Sequence, residues 1–112
     1  MDLTVYERIA LLQVLPVAHQ HGSFIKQKTL LGLIGDLGFT EHELIAWDIQ
    51  QEGERITWDE TRAEPKALEL GPVATGLVLD ALRWLDEQER MDIGLLPLCE
   101  KFGYTGPPES GE

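Results

Sequence analysis

The spacing of apolar residues changes twice along the chain, and those changes set the order of elements it can form. Val5, Ile9, Leu12 and Leu15 recur at the three- and four-residue spacing of one helix face. Leu30, Leu31, Ile34 and Leu37 do so again, with Leu33 on the margin. Arg55-Ile56-Thr57-Trp58-Asp59 and Lys66-Ala67-Leu68-Glu69-Leu70 alternate instead, the repeat of a half-buried strand. From Gly71-Pro72 the helical repeat returns through Ala74, Leu77, Val78, Ala81, Leu82 and Leu85. The pattern predicts an α+β chain that is mostly helical.

Polar punctuation refines these elements. Thr4 and Glu7 form a capping box, in which each side chain bonds the other residue's backbone N–H and starts a helix. Pro16 is expected to end that helix near residue 14 or 15, because the residue before proline resists helical backbone. Arg8 and Gln13 fall off its apolar stripe. A connector with His19 and His21 leads to a second helix starting near Ser23, and Gly38 is expected as its left-handed terminal residue. Gly32 and Gly35 lie inside that helix and allow another element to approach closely. Thr40 and Glu43 make a second capping box for a short third helix carrying Leu44, Ile45 and Trp47.

The two alternating runs are predicted to pair as an antiparallel hairpin, and residues 47–51 offer a third short strand before Glu52-Gly53. Pro72 opens the longest helix at its favoured first position. Arg83 with Glu87, and Asp86 with Arg90, stand at ion-pair spacing on its outer face. Asp92 is a cap for a last short helix with Ile93, Leu96, Cys99 and Phe102, weakened or kinked by Pro97. Residues 1–102 are expected to form one domain, and 103–112 a flexible C-terminal tail.

Three short helices, a hairpin and two further helices are the chain order of a winged helix-turn-helix with a two-helix extension. In that plan the third helix reads DNA and the hairpin is the wing. Fold alone carries no function, so the residues decide. Leu3-Thr4-Val5-Tyr6-Glu7-Arg8, Glu69-Leu70-Gly71 and Glu100-Lys101-Phe102 resemble segments of a group of small phage and prophage proteins. That group has no assigned activity. The resemblance covers about a tenth of the chain; it implies a phage-related source and the same helix–hairpin–helix plan, and carries over no site residues.

Length and charge exclude several classes. A chain of 112 residues suits one core rather than two. Its hydrophobic fraction of 43% is too high for a disordered chain, and no apolar run is long enough to span a bilayer. Asp2 stands where a signal peptide has basic residues, so none is expected. The single cysteine, Cys99, excludes an intrachain disulfide and points to the cytoplasm. The net charge is −11, with three bases against six acids in residues 1–50 and six against fourteen in 51–112. Such a field repels phosphate backbones and attracts basic partners; it also keeps a small protein soluble.

No catalytic or cofactor constellation emerges. His19-Gln20-His21 supplies two imidazoles where a catalytic zinc generally needs three protein ligands, and it reads as two exposed loop histidines. Ser23 reads as a helix cap and Cys99 as a small buried hydrophobe. Gly32-Leu33-Ile34-Gly35 lacks the G-K-[ST] of a phosphate loop. The third helix, with Glu41, Glu43 and Asp48, has no Arg, Lys, Asn or Gln to address base edges. Asp59, Glu60 and Glu64 outnumber Arg62 in the connector between the alternating runs.

These observations favour a small acidic, non-enzymatic protein-interaction module that binds a basic protein, with a winged-helix DNA-binding regulator as the alternative. No cofactor, metal, nucleic acid or membrane is expected. Candidate interface residues are Trp84, Trp47, Glu41, Glu43, Asp59, Glu60 and Glu64. Tryptophan is enriched at binding hot spots; Trp84 is the expected exposed anchor, and Trp58 is expected in the core. A homodimer through residues 72–90 is expected to add burial to a small domain.

Overall fold

The computed structural model describes residues 2–106. They form strand β1 (Asp2–Leu3), helices α1 (Val5–Ala18), α2 (Phe24–Leu37) and α3 (Glu41–Ala46), strands β2 (Gln50–Glu52), β3 (Arg55–Thr57) and β4 (Lys66–Ala67), and helices α4 (Pro72–Glu87) and α5 (Leu96–Phe102). A single 3-10 turn, Ile93–Leu95, runs directly into α5. The chain is therefore α+β and mostly helical. No helix among the described residues is long and apolar enough to cross a membrane.

Both expected capping boxes form. Thr4 Oγ1 accepts from the Glu7 amide at 3.1 Å, and Glu7 Oε1 accepts from the Thr4 amide at 2.9 Å. Thr40 and Glu43 repeat the arrangement at 3.1 and 2.9 Å. Pro72 sits at the start of α4. Contrary to expectation, α1 does not stop before Pro16 but continues to Ala18. Proline so close to a helix end removes one backbone donor only, and the His19 amide still reaches the Leu15 carbonyl at 3.0 Å. Pro97, in turn, lies in the first turn of α5, where a missing N–H costs nothing.

The core gathers where α1, α2 and α4 pack together, with α5 against α4. Leu3, Leu11, Leu15, Leu37, Val78, Ala81, Leu82 and Leu98 are buried in it. Leu33 belongs to this core, whereas Leu31, predicted on the buried stripe, points to solvent. Trp84 and Leu85 pack at the core's margin. Glu7 is also buried; its carboxylate receives Lys101 Nζ at 2.5 Å and so ties α5 to the first turn of α1.

The strand pairing differs from the predicted hairpin. Residues 55–57 pair with 50–52, in the register Gln50↔Thr57, Gln51↔Ile56 and Glu52↔Arg55. Gly53, at φ +62°, takes the first position of the two-residue loop. The second alternating run instead supplies β4, which pairs with β1 through Asp2↔Ala67 and Leu3↔Lys66. A two-residue turn closes β2 on β3 locally, whereas joining the two alternating runs requires a loop of six residues, 60–65; the short closure has the smaller entropic cost.

No residue between Leu37 and Leu77 is buried. The segment with α3 and the β2–β3 hairpin therefore lies outside the core, and only after it do Leu68, Leu70 and Ala74 pack partly buried against that core. The segment is tied down by polar contacts: Arg8 to Glu43, Lys66 Nζ to the Asp36 carbonyl at 2.8 Å, and β4 to β1.

Gly38 is extended (φ −62°, ψ 161°) rather than left-handed. Its amide closes on the Ile34 carbonyl at 3.0 Å, and the two carbonyls that follow are held by Arg8, whose Nε donates to Leu37 O at 3.1 Å and Nη2 to Gly38 O at 2.6 Å. Left-handed residues occur instead at Asp48, Glu89 and Gly103, after α3, α4 and α5. The expected Arg83–Glu87 and Asp86–Arg90 pairs do not form. Asp86 accepts from Tyr104 Oη at 2.7 Å, and the Arg90 guanidinium lies 5.9 Å from the Trp84 ring centroid. Residues 103–106 continue from α5 with Tyr104 against the core, and 107–112 lie outside the described residues.

Candidate functional site

Tyr6, on the first turn of α1, lies at the junction of two clefts. One, of about 320 Å³, is lined by Thr4, Val5, Tyr6, Trp58, Glu60, Ala63, Glu64 and Pro65. Its walls are two aromatic rings and its charges are two carboxylates; no base lines it. The other, of about 270 Å³, runs between α1 and the end of α4, with Val14, Val17, Trp84 and Leu85 along its walls. Arg90 and Asp92 stand there together. Tyr6 Oη donates to Asp92 Oδ1 at 3.4 Å. Partial burial, then the Asp92 carboxylate, pushes the Tyr6 hydroxyl above its usual range.

The predicted interface residues divide among these places. Glu60 and Glu64 are exposed and share the first cleft with Trp58, which is half-buried at this cleft rather than in the core. Trp84 is half-buried in the second cleft under Arg90 and is not a free anchor. Trp47 caps α3 and accepts from the Asp59 amide at 2.8 Å, so these two residues meet at the base of the hairpin. The Asp59 carboxylate holds its own turn by accepting from Thr61 Oγ1 at 2.6 Å and the Thr61 amide at 3.0 Å. These bonds, with Arg62 at 3.3 Å, hold its carboxyl below the usual range. Glu41 is exposed on the first turn of α3.

Glu43 has a different role from the one expected. It accepts from Arg8 Nη1 at 3.0 Å and Nη2 at 3.2 Å, and the fully buried Arg8 holds its carboxyl below the usual range. It is a bolt between helices and is not available to a partner. Tyr6 and Asp92 were not singled out by the sequence. In the sequence Tyr6 stands only as a residue inside the Thr4–Glu7 capping box, and Asp92 reads only as a cap.

Two further titratable side chains, His19 and Cys99, have structural partners. His19 Nε2 lies 2.8 Å from the Leu77 carbonyl, which can only accept, so this nitrogen carries a hydrogen and His19 links α1 to α4. Cys99 is buried, with its sulfur 3.7 Å from Met91 Sδ, and burial raises its thiol pKa. Among the described residues, no group of three or more His, Cys, Asp or Glu side chains is placed to hold a metal ion. Comparison with protein-family models, curated proteins and solved structures finds no match to this chain.

Proposed function

We propose that the chain is a small acidic, non-enzymatic interaction module, a phage-derived accessory or inhibitor protein of the cytoplasm, that docks a basic segment of a partner protein. The cleft between Tyr6 and Trp58 carries this reading: two aromatic faces and the carboxylates of Glu60 and Glu64 surround it without a competing base. A Lys or Arg side chain entering it gains ring-face attraction and charge pairing together. The segment that carries Trp58, Glu60 and Glu64 is acidic as a whole, with eight carboxylates against Arg55 and Arg62 in residues 41–64.

The order α1, α2, α3, β2, β3 supports a winged-helix-like plan and keeps the DNA-binding regulator as the second reading. One titration separates the two. A labelled Lys/Arg-rich peptide should bind at about 50 mM salt and weaken as salt screens the charges. The Glu60→Lys/Glu64→Lys variant should lose that binding with its fold intact. Absence of peptide binding at low salt overturns the interaction reading. A duplex-DNA shift by the unmodified protein at the same salt establishes the regulator.

A further inference from the structure

We infer that the outer face of α2 is a self-association surface, on which two copies of the chain pair with antiparallel α2 helices about a two-fold axis beside Gly32. The first observation is apolar exposure. Phe24, Ile25 and Leu31 are 77, 63 and 72% exposed, and all lie on the side of α2 away from the buried Leu30, Leu33 and Leu37. At 100° per residue they share one arc with Gly32 near its middle. A side chain at Gly32 would meet nothing within 4 Å, so this face is open and smooth where two helices would come closest.

The second observation is charge complementarity, and it selects the occupant. Lys28 and Asp36 lie on this same face, each four residues from Gly32. Neither has an ion-pair partner among the described residues; Lys66 donates to the Asp36 backbone carbonyl, not to its carboxylate. A two-fold axis beside Gly32 sets Lys28 of each copy against Asp36 of the other and brings the two Leu31 side chains together. Phe24 and Ile25 then lie opposite Thr40 and Phe39, just beyond the end of the partner's α2. A parallel pairing would oppose Lys28 to Lys28 and Asp36 to Asp36, so the charges fix the direction as well as the register. The same antiparallel arrangement aligns the helix dipoles favourably.

The footprint sets the strength. A helix of 14 residues is about 21 Å long and about 10 Å wide, well short of the ~800 Å² per partner of a standard interface. The dimer is therefore weak and concentration-dependent. It is independent of the proposed cleft for a basic partner, which α2 does not line.

Sedimentation equilibrium across a micromolar to millimolar series, with circular dichroism as the check on folding, tests the pairing. The unmodified chain should pass from monomer to dimer. Leu31→Glu should remain monomeric with its helix content unchanged. Lys28→Asp alone and Asp36→Lys alone should each weaken self-association by roughly tenfold, since each replaces two attractions with two repulsions. An equimolar mixture of these two single variants should form a heterodimer, and the double variant should recover the homodimer, because both restore opposite charges at each contact. A chain monomeric throughout the series overturns the proposal. So does a dimer indifferent to Leu31→Glu, or single variants that fail to associate when mixed.

Discussion

Arg8 and Glu43, 35 residues apart in sequence, form a two-pronged ion pair at 3.0 and 3.2 Å that fastens α1 to the start of α3. The same guanidinium caps the end of α2 through the Leu37 and Gly38 carbonyls and lies 4.0 Å from the Phe39 ring centroid. One side chain thus serves three helices. Its fork geometry is what allows this, and lysine cannot substitute for it. Arg8→Met should lower stability by about 3–5 kcal/mol in urea unfolding, since it leaves a carboxylate and two carbonyls without their donor. Arg8→Lys should recover only a minor part of that loss.

Glu43 gives the pair a pH dependence. Arg8 lowers its folded pKa, so its contribution is complete above the unfolded carboxylate value and is lost as pH falls through the folded one. Unfolding midpoints measured below pH 4.5 should therefore fall more steeply for the unmodified protein than for Glu43→Gln, which has no carboxylate to protonate at this position.

Local patterns were the legible part of this fold. Both capping boxes, the Pro72 start and the switch of period are written within a few residues of one another, and the structure contains each of them. What escaped depends on partners distant in sequence. Arg8 reads only as a residue off the apolar stripe because Leu37, Gly38 and Glu43 are invisible from its neighbourhood. Gly38 reads as a left-handed turn because nothing nearby shows that Arg8 holds the Leu37 and Gly38 carbonyls and keeps the chain extended there. Strand pairing failed for the same reason: alternation identifies a strand but not its neighbour, and β4 found Asp2–Leu3 across the chain. At the candidate site, Glu60 and Glu64 were readable as exposed acids. Their meeting with Tyr6, from the other end of the sequence, was not.

Tyr104 anchors the segment after α5 through its hydrogen bond to Asp86. Burial, and then this carboxylate, push its hydroxyl up to about 12. Because the folded value lies above the unfolded 10.0, the contribution is complete below pH 10 and disappears as pH rises through the folded value. Titration followed by tyrosinate absorbance should show a step near 12 that Tyr104→Phe removes, leaving that of Tyr6, which is itself raised. That variant should cost about 1 kcal/mol at neutral pH, the usual net value of one hydrogen bond.

Glu89 follows α4 in left-handed backbone at φ +54°, where an L side chain is strained and glycine is not. The Arg90 amide still closes on the Leu85 carbonyl at 2.8 Å, so the turn itself is well made. Glu89→Gly should therefore raise stability by about 0.5–1 kcal/mol, through relief of that strain. Chemical denaturation should show a higher midpoint with an unchanged slope.

The segment with α3 and the β2–β3 hairpin should open independently of the rest. Backbone amides are protected in proportion to the cost of exposing them, and that cost follows buried apolar contact. Between Leu37 and Leu77 nothing is buried, and Ile45 is 78% exposed. Amides of α3 and the β2–β3 hairpin should exchange with solvent far faster than those of α1 and α4 around Leu11, Leu15, Val78 and Leu82. Arg8→Met removes the ion pair that fastens α3, so it should speed exchange in residues 41–57 by a larger factor than at the centre of α4. Equal acceleration in both regions would mean that α3 and the hairpin unfold only with the core, and that Arg8 stabilises the fold as a single unit.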